Sequence, residues 1–175
     1  MINDALENLD RSARSFSPFL TSFILIMISA LPLYMPGYGQ IVIEVGLVSV
    51  FYWSIYRPDL FPSIAALALG LWQDILVGSP LGLHALVLLL ANWAIMSQRN
   101  FFQGKSFIVV WWSFSVVALV AALLSWLVVC LLNLAFINPL AVLFQAILTI
   151  GAFPFMVWFL ARLQKAVLHP IGTDV

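Results

Sequence analysis

The sequence predicts an all-α integral membrane protein of six transmembrane helices with both termini cytoplasmic, and three observations predict it. Of its 175 residues 64% are hydrophobic and only 8% charged, where a soluble globular domain carries roughly a quarter charged residues. Six apolar runs approach the length needed to cross about 30 Å of hydrocarbon at about 1.5 Å per residue. The basic residues between those runs fall on alternate loops, as the positive-inside rule requires. The same numbers exclude other classes. Seven Lys or Arg balance seven Asp or Glu, so there is no cationic excess to release counterions from nucleic acid. A chain this apolar does not stay disordered either.

The leader, residues 1–15, places Ile2, Leu6, Leu9 and Ala13 at helical spacing among Asp4, Glu7, Asp10, Arg11 and Arg14. That pattern suits a short amphipathic helix on the inner membrane surface; a frayed polar leader fits it equally. Three acidic residues ahead of the first span argue against a cleaved signal peptide. The first span, residues 16–35, closes at the turn-forming cluster Pro36-Gly37-Tyr38-Gly39. The second, 41–56, stops at Arg57-Pro58-Asp59, and the third, 60–77, turns through Gly78-Ser79-Pro80 into the fourth, 81–97. A polar stretch, 98–106, precedes a long fifth span, 107–134; Asn138-Pro139 opens the sixth, 139–161, and a cytoplasmic tail, 162–175, follows.

Spans two and three are short and carry acids, which leaves a five-span arrangement to be weighed, and orientation arbitrates. With six spans and the N-terminus inside, the inner segments hold Arg11, Arg14, Arg57, Arg99, Lys105, Arg162 and Lys165, all seven basic residues. The outer loops 36–40, 78–80 and 135–138 carry no charge; dropping a span would move basic residues outside. Trp53 with Tyr56, Trp93, Trp111 with Trp112, and Trp158 are expected at the inner interface, where amphipathic rings settle.

Three titratable residues fall inside the spans at one level, the outer third. Counting by helix rise, Glu44 lies roughly 5 Å and Asp74 roughly 6 Å inside the outer boundary, and His84 enters span four at the same depth. Gln73 and Gln145 share that layer, while the inner half offers mainly Asn92 and Thr149. A carboxylate in hydrocarbon costs roughly 2.5–3.5 kcal/mol on insertion scales, so Glu44 and Asp74 should face protein or a water-filled cavity. The layer reads as a structural knot between helices, as a docking surface for a partner's membrane segment, or as a substrate or proton pathway.

No catalytic constellation is discernible: no nucleophile with a base, no phosphate loop and no zinc signature. Two carboxylates and one His without a spacing motif do not define a metal site, and the lone Cys130 allows no intrachain disulfide. No cofactor is expected. Packing signals are clearer. Ala66, Gly70, Asp74 and Gly78 make a small-residue stripe on span three, and Ser115, Ala118, Ala122 and Ser125 make another on span five; both permit close helix approach, with internal packing the favoured use. Pro154 should kink span six.

The stretch Gly70-Leu71-Trp72-Gln73-Asp74-Ile75-Leu76-Val77-Gly78-Ser79-Pro80-Leu81-Gly82-Leu83-His84-Ala85-Leu86 resembles the signature of the rod shape-determining MreD family. There a span ends in G-L-x-x-D-x-x-x-G-x-P-L-G and the next begins at once. Tyr52-Trp53 followed by Arg57-Pro58 is similar to that family's second inner loop, and Pro32 and Pro36 to its first outer turn. The resemblance implies a bundle like that of the substrate-binding subunits of energy-coupling-factor vitamin transporters. It implies an inner-membrane, non-enzymatic component of the elongation (rod) complex, acting with bitopic MreC and, indirectly, MreB, RodA and penicillin-binding protein 2 in lateral peptidoglycan synthesis. A homodimer within a larger complex is compatible with it.

The expected mechanism is a scaffold in which Asp74, Glu44 and His84, with Gly70, Gly78, Pro80 and Gly82 shaping the turn between spans three and four, fix a lateral face for the partner's helix. The alternative is a substrate-binding subunit of a small-molecule, vitamin-type transporter using the same outer pocket. Such subunits resemble one another in an A-x-x-x-A pattern on the first span, and residues 16–35 contain none.

Overall fold

The computed structural model of the chain describes residues 17–29, 43–102, 104–134 and 139–168. The leader 1–15 with Arg11 and Arg14, Pro32, the turn at 36–39, the loop 135–138 and the tail beyond 168 lie outside them. The described residues are all-helical, without a strand. They form α1 (Ser17–Ser29), α2 (Val45–Tyr56), a 3-10 turn (Pro58–Leu60), α3 (Ser63–Val77), α4 (Leu83–Ser97), the single turn α5 (Arg99–Phe102), α6 (Phe107–Asn133) and α7 (Leu140–Leu168).

Helix α2 is apolar on all sides, which suits a helix surrounded by others. Every residue from Val45 to Ser54 is buried, with Ala66 and Leu69 of α3 and Val87, Leu88 and Ile95 of α4 in the same core. The Phe51 ring meets Phe102, Phe114 and Phe153 edge-on at 6.1, 5.1 and 5.6 Å between centroids, and Phe114 stacks on Phe153 at 4.1 Å. This aromatic centre joins α2, α5, α6 and α7 through the ring geometries aromatic pairs favour. It also corrects one expectation. Trp53 is only 1% exposed, because α2 is covered by other helices from Val45 to Ser54, whereas Tyr56 at its end, Trp93, Trp111, Trp112 and Trp158 are exposed.

Two of the described helices, α6 and α7, are long and apolar enough to cross a membrane, and only 11% and 17% of their most apolar stretches are buried. A core helix of a soluble protein would be mostly covered; these turn Trp112, Val116, Leu123, Phe144, Ile147 and Phe155 outward. Helix α7 continues through Pro154 and past residue 161, where the apolar run stops. Its polar end has its own anchors: the Tyr52 hydroxyl donates to Gln164 Oε1 at 2.7 Å, and the Arg162 guanidinium lies 5.0 Å from the Trp158 ring.

Between α2 and α6 the chain makes tight connections. Pro58 sits at the start of the 3-10 turn, and Pro62, extended, precedes α3. At this end of the bundle a cleft of about 570 Å³ brings together Tyr56, Asp59, Arg99, Phe102 and Lys105, with the Lys105 ammonium 5.2 Å from the Phe101 ring.

Candidate functional site

The handover from α3 to α4 is built round one carboxylate. Helix α3 ends in a left-handed Gly78 (φ 72°), whose N–H and that of Ser79 both donate to the Asp74 carbonyl at 3.0 and 3.2 Å. This closes the last turn in the manner of a glycine C-cap. The chain then reverses within four residues. Leu83 N–H donates to the Pro80 carbonyl at 3.1 Å, and Gly82 holds a φ of 99° that side-chain-bearing residues rarely adopt.

Gly82 stands at the N-cap of α4 and has no side chain to cap with. The Asp74 side chain does it instead. Its Oδ2 accepts from Gly82 N–H at 2.8 Å, and its Oδ1 accepts from His84 N–H at 2.9 Å and from the Ser79 hydroxyl at 2.7 Å. Those amides belong to the helix end that has no intrahelical acceptors, where the backbone dipoles favour negative charge. Asp74 is 1% exposed, so the contacts are made away from water. The spacing D-x-x-x-G-x-P-L-G-x-H thus has a physical reason: the acid at the end of one helix caps the next.

His84 relays the clasp sideways. Its Nδ1 lies 2.8 Å from Asp74 Oδ1 and its Nε2 3.3 Å from Glu44 Oε1. Glu44, at the N-cap of α2, also accepts from Gln73 Nε2 on Oε2 at 2.8 Å and from Gln145 Nε2 on Oε1 at 2.7 Å. The Glu44 N–H donates to Thr149 Oγ1 at 3.2 Å, and that hydroxyl donates to the Gln145 carbonyl at 2.8 Å. Helices α2, α3, α4 and α7 are therefore joined by one hydrogen-bonded network. The Nε2···Oε1 contact needs a hydrogen between the two atoms, on whichever side it resides. With Asp74 accepting throughout, the trio holds at least one net negative charge.

Of the residues singled out in the sequence, Asp74, His84 and Glu44 meet directly. Gly78, Pro80 and Gly82 form the turn, and Gly70 lies one helical turn before Asp74 against α4. A Cβ on Gly70 would stand 2.3 Å from Ala85 Cα and 2.6 Å from its amide nitrogen, so the α3 stripe is used for internal packing at Ala66, Gly70 and Asp74, while Gly78 has open space around it. Thr149, counted into the inner half from Pro139, in fact joins the Glu44 layer: it lies one helical turn after Gln145 and accepts from the Glu44 N–H. Gly46 was not foreseen. It leaves room for the Gln73 side chain to pass, a need set by the packing of α3 on α2 and invisible in either segment alone.

A second, smaller set lies further along the same helices, where Asn92 Nδ2 donates to Ser54 Oγ at 2.8 Å and Ser63 Oγ donates to Asn92 Oδ1 at 2.9 Å. Among the described residues no group of three His, Cys, Asp or Glu side chains could hold a metal ion; the two carboxylates lie at opposite nitrogens of the imidazole. Beside Glu44 and His84 a cavity of about 220 Å³ opens, walled by α6 and α7. The small residues Ala118, Ala122 and Ser125 of the second stripe line it.

Fold and site together define a helical membrane protein whose buried polar residues tie its helices to one another. A family model described as rod shape-determining protein MreD matches residues 11–165, nearly the whole chain, and the protein belongs to that family of bacterial membrane proteins with a role in determining rod shape. No curated protein and no solved structure matches the chain.

Proposed function

We propose that this chain is a non-enzymatic inner-membrane scaffold of the elongation complex. In this reading it is a six-span bundle with both termini cytoplasmic, which holds the membrane helix of MreC and so helps MreB, RodA and penicillin-binding protein 2 direct lateral peptidoglycan insertion. The observation that carries it is the Asp74 clasp. Both carboxylate oxygens are engaged by α4 and its turn, so the most costly buried group holds α3 and α4 at a set angle. A helix pair fixed in this way offers a lateral face of constant shape, which lowers the ordering cost of docking a partner. The orientation is supported by where the basic residues lie: Arg99 and Lys105, beside Asp59, line the opposite cleft, and the α3–α4 turn, residues 78–82, carries none.

The test is co-purification of tagged protein with MreC from membranes. Asp74→Leu removes the cap, and recovery of MreC is expected to fall at least tenfold while the amount of inserted protein stays the same. Undiminished recovery would overturn the reading.

A further inference from the structure

The cavity beside Glu44 is polar at one side and apolar elsewhere. Ala118, Ala121, Ala122, Val129, Val142 and Ala146 supply the apolar wall, while Glu44, Gln73, His84 and Gln145 supply the polar side. The hydrogen bonds on that polar side do not balance. Glu44, with its side chain 24% exposed, has three hydrogen-bond partners, Gln145 and His84 at Oε1 and Gln73 at Oε2, of the roughly four a carboxylate takes. The open position is on Oε2. Gln145 gives one amide hydrogen to Glu44, and its Oε1 receives no hydrogen bond among the described residues. Gln73 Oε1, in a residue only 4% exposed, is also without a donor, but it is packed against Gly46 and offers no surface to the cavity. The site has a surplus of acceptors and a net negative charge, and among the described residues no cationic side chain of Lys or Arg lines it.

We propose that this cavity binds a primary ammonium group carried on an apolar body. An ammonium has three donors and no acceptor, which matches what the polar side lacks. Its charge offsets that of the Asp74–His84–Glu44 trio, at a depth where an unbalanced carboxylate is costly, and its alkyl or aryl body fits the alanine and valine walls. The ammonium comes either from a lipid headgroup reaching in from the leaflet or from a free amphiphilic amine. The inference does not depend on the scaffold reading, since the site lies between α6, α7 and the clasp whether or not a partner helix docks.

The experiment uses the full chain in nanodiscs of phosphatidylcholine, whose quaternary headgroup has no N–H, at pH 7. Binding of n-octylamine and of n-octanol is measured by thermal stabilisation and by native mass spectrometry. Octylamine should bind saturably and at least tenfold more tightly than octanol. Glu44→Gln should erase that preference, and Ala122→Phe, which fills the cavity from α6 without touching the hydrogen-bonded network, should abolish octylamine binding. Adding phosphatidylethanolamine to the discs separates the sources: competition with octylamine, and retention of that lipid by the wild type but not by Ala122→Phe, identifies the headgroup; no competition identifies a free amine. Equal binding of octanol and octylamine, or octylamine binding undiminished in Ala122→Phe, would overturn the proposal.

Discussion

Helices α2, α3 and α4 have 12, 15 and 15 residues, while α6 and α7 have 27 and 29, and the two groups differ as much in what holds them as in length. The short helices, roughly 18–22 Å long by helix rise, contain the Glu44, Gln73, Asp74 and His84 network, the Ser54–Asn92–Ser63 set and the backbone approach at Gly70. The long pair meets through the Phe114–Phe153 stack and a polar link from Trp111 Nε1 to the Ile150 carbonyl at 3.1 Å. In lipid the hydrophobic effect does not drive helices together, because acyl chains are as apolar as leucine. The contrast therefore teaches where specificity resides. The short helices are fixed by directional bonds and steric fit, and α7 shares in those bonds through Gln145, Thr149 and Gln164; the contact between α6 and α7 rests mainly on dispersion, which makes α6 the easier helix to rearrange.

The comparison breaks first at Asp74. Asp74→Leu strips the cap from α4 and leaves the Gly82 and His84 amides and the imidazole without their acceptor. A buried charged partner of this kind is worth about 3–5 kcal/mol when removed, and reversible unfolding in mixed micelles should show a loss in that range. Asp74→Asn keeps one acceptor oxygen and should recover part of it. If both substitutions cost under about 1 kcal/mol, the clasp does not hold the short helices.

Gly70→Ala comes next. Its new methyl would meet the Ala85 backbone rather than a flexible side chain, so α3 and α4 must separate. Overpacking costs about 1–3 kcal/mol, and the upper end is expected here, read out as a lower unfolding midpoint and as weakened protection of the Gly82 and His84 amides in hydrogen exchange. A separation large enough to lengthen the Asp74 bonds should make Gly70→Ala and Asp74→Asn non-additive in a double-mutant cycle.

These two sites were also the most legible in the sequence. Asp74, Gly78, Gly82 and His84 lie within eleven residues, so the cap is a local event whose spacing can be read directly, and the apolar runs overlap the helices of the described residues. What could not be read depends on pairing distant segments. Thr149 and Gln145 reach Glu44 across about a hundred positions, in a register set by how α7 lies against α2; Trp53 is of a residue type common at interfaces but sits in the stretch of α2 that other helices cover. The extension of α7 to Leu168 was hidden for a similar reason, since its polar end is held by Tyr52, a partner on another helix.

On the long pair, Phe153→Ala removes a fully buried ring from the stack with Phe114 and the edge contact with Phe51. In a soluble core a Phe→Ala change costs about 3–5 kcal/mol, of which one part is transfer to water and another the cavity left behind. When the unfolded reference is still in lipid the transfer part largely disappears, so about 1–3 kcal/mol is expected. A loss as large as that of Asp74→Leu would show that the aromatic centre, and not the clasp, dominates the bundle.

The smallest effect is also the sharpest control. Gly151 of α7 has open space where its Cβ would be, so Gly151→Ala is the same substitution as Gly70→Ala made on the other half of the comparison. It gains helix propensity, at most about 1 kcal/mol, and meets no neighbour. The unfolding midpoint should stay or rise slightly, by no more than about 0.5 kcal/mol once the lipid-supported helix has discounted the gain. If Gly151→Ala destabilised as much as Gly70→Ala, the penalty at Gly70 would belong to alanine in a membrane helix generally, and the steric argument for the α3–α4 approach would fail.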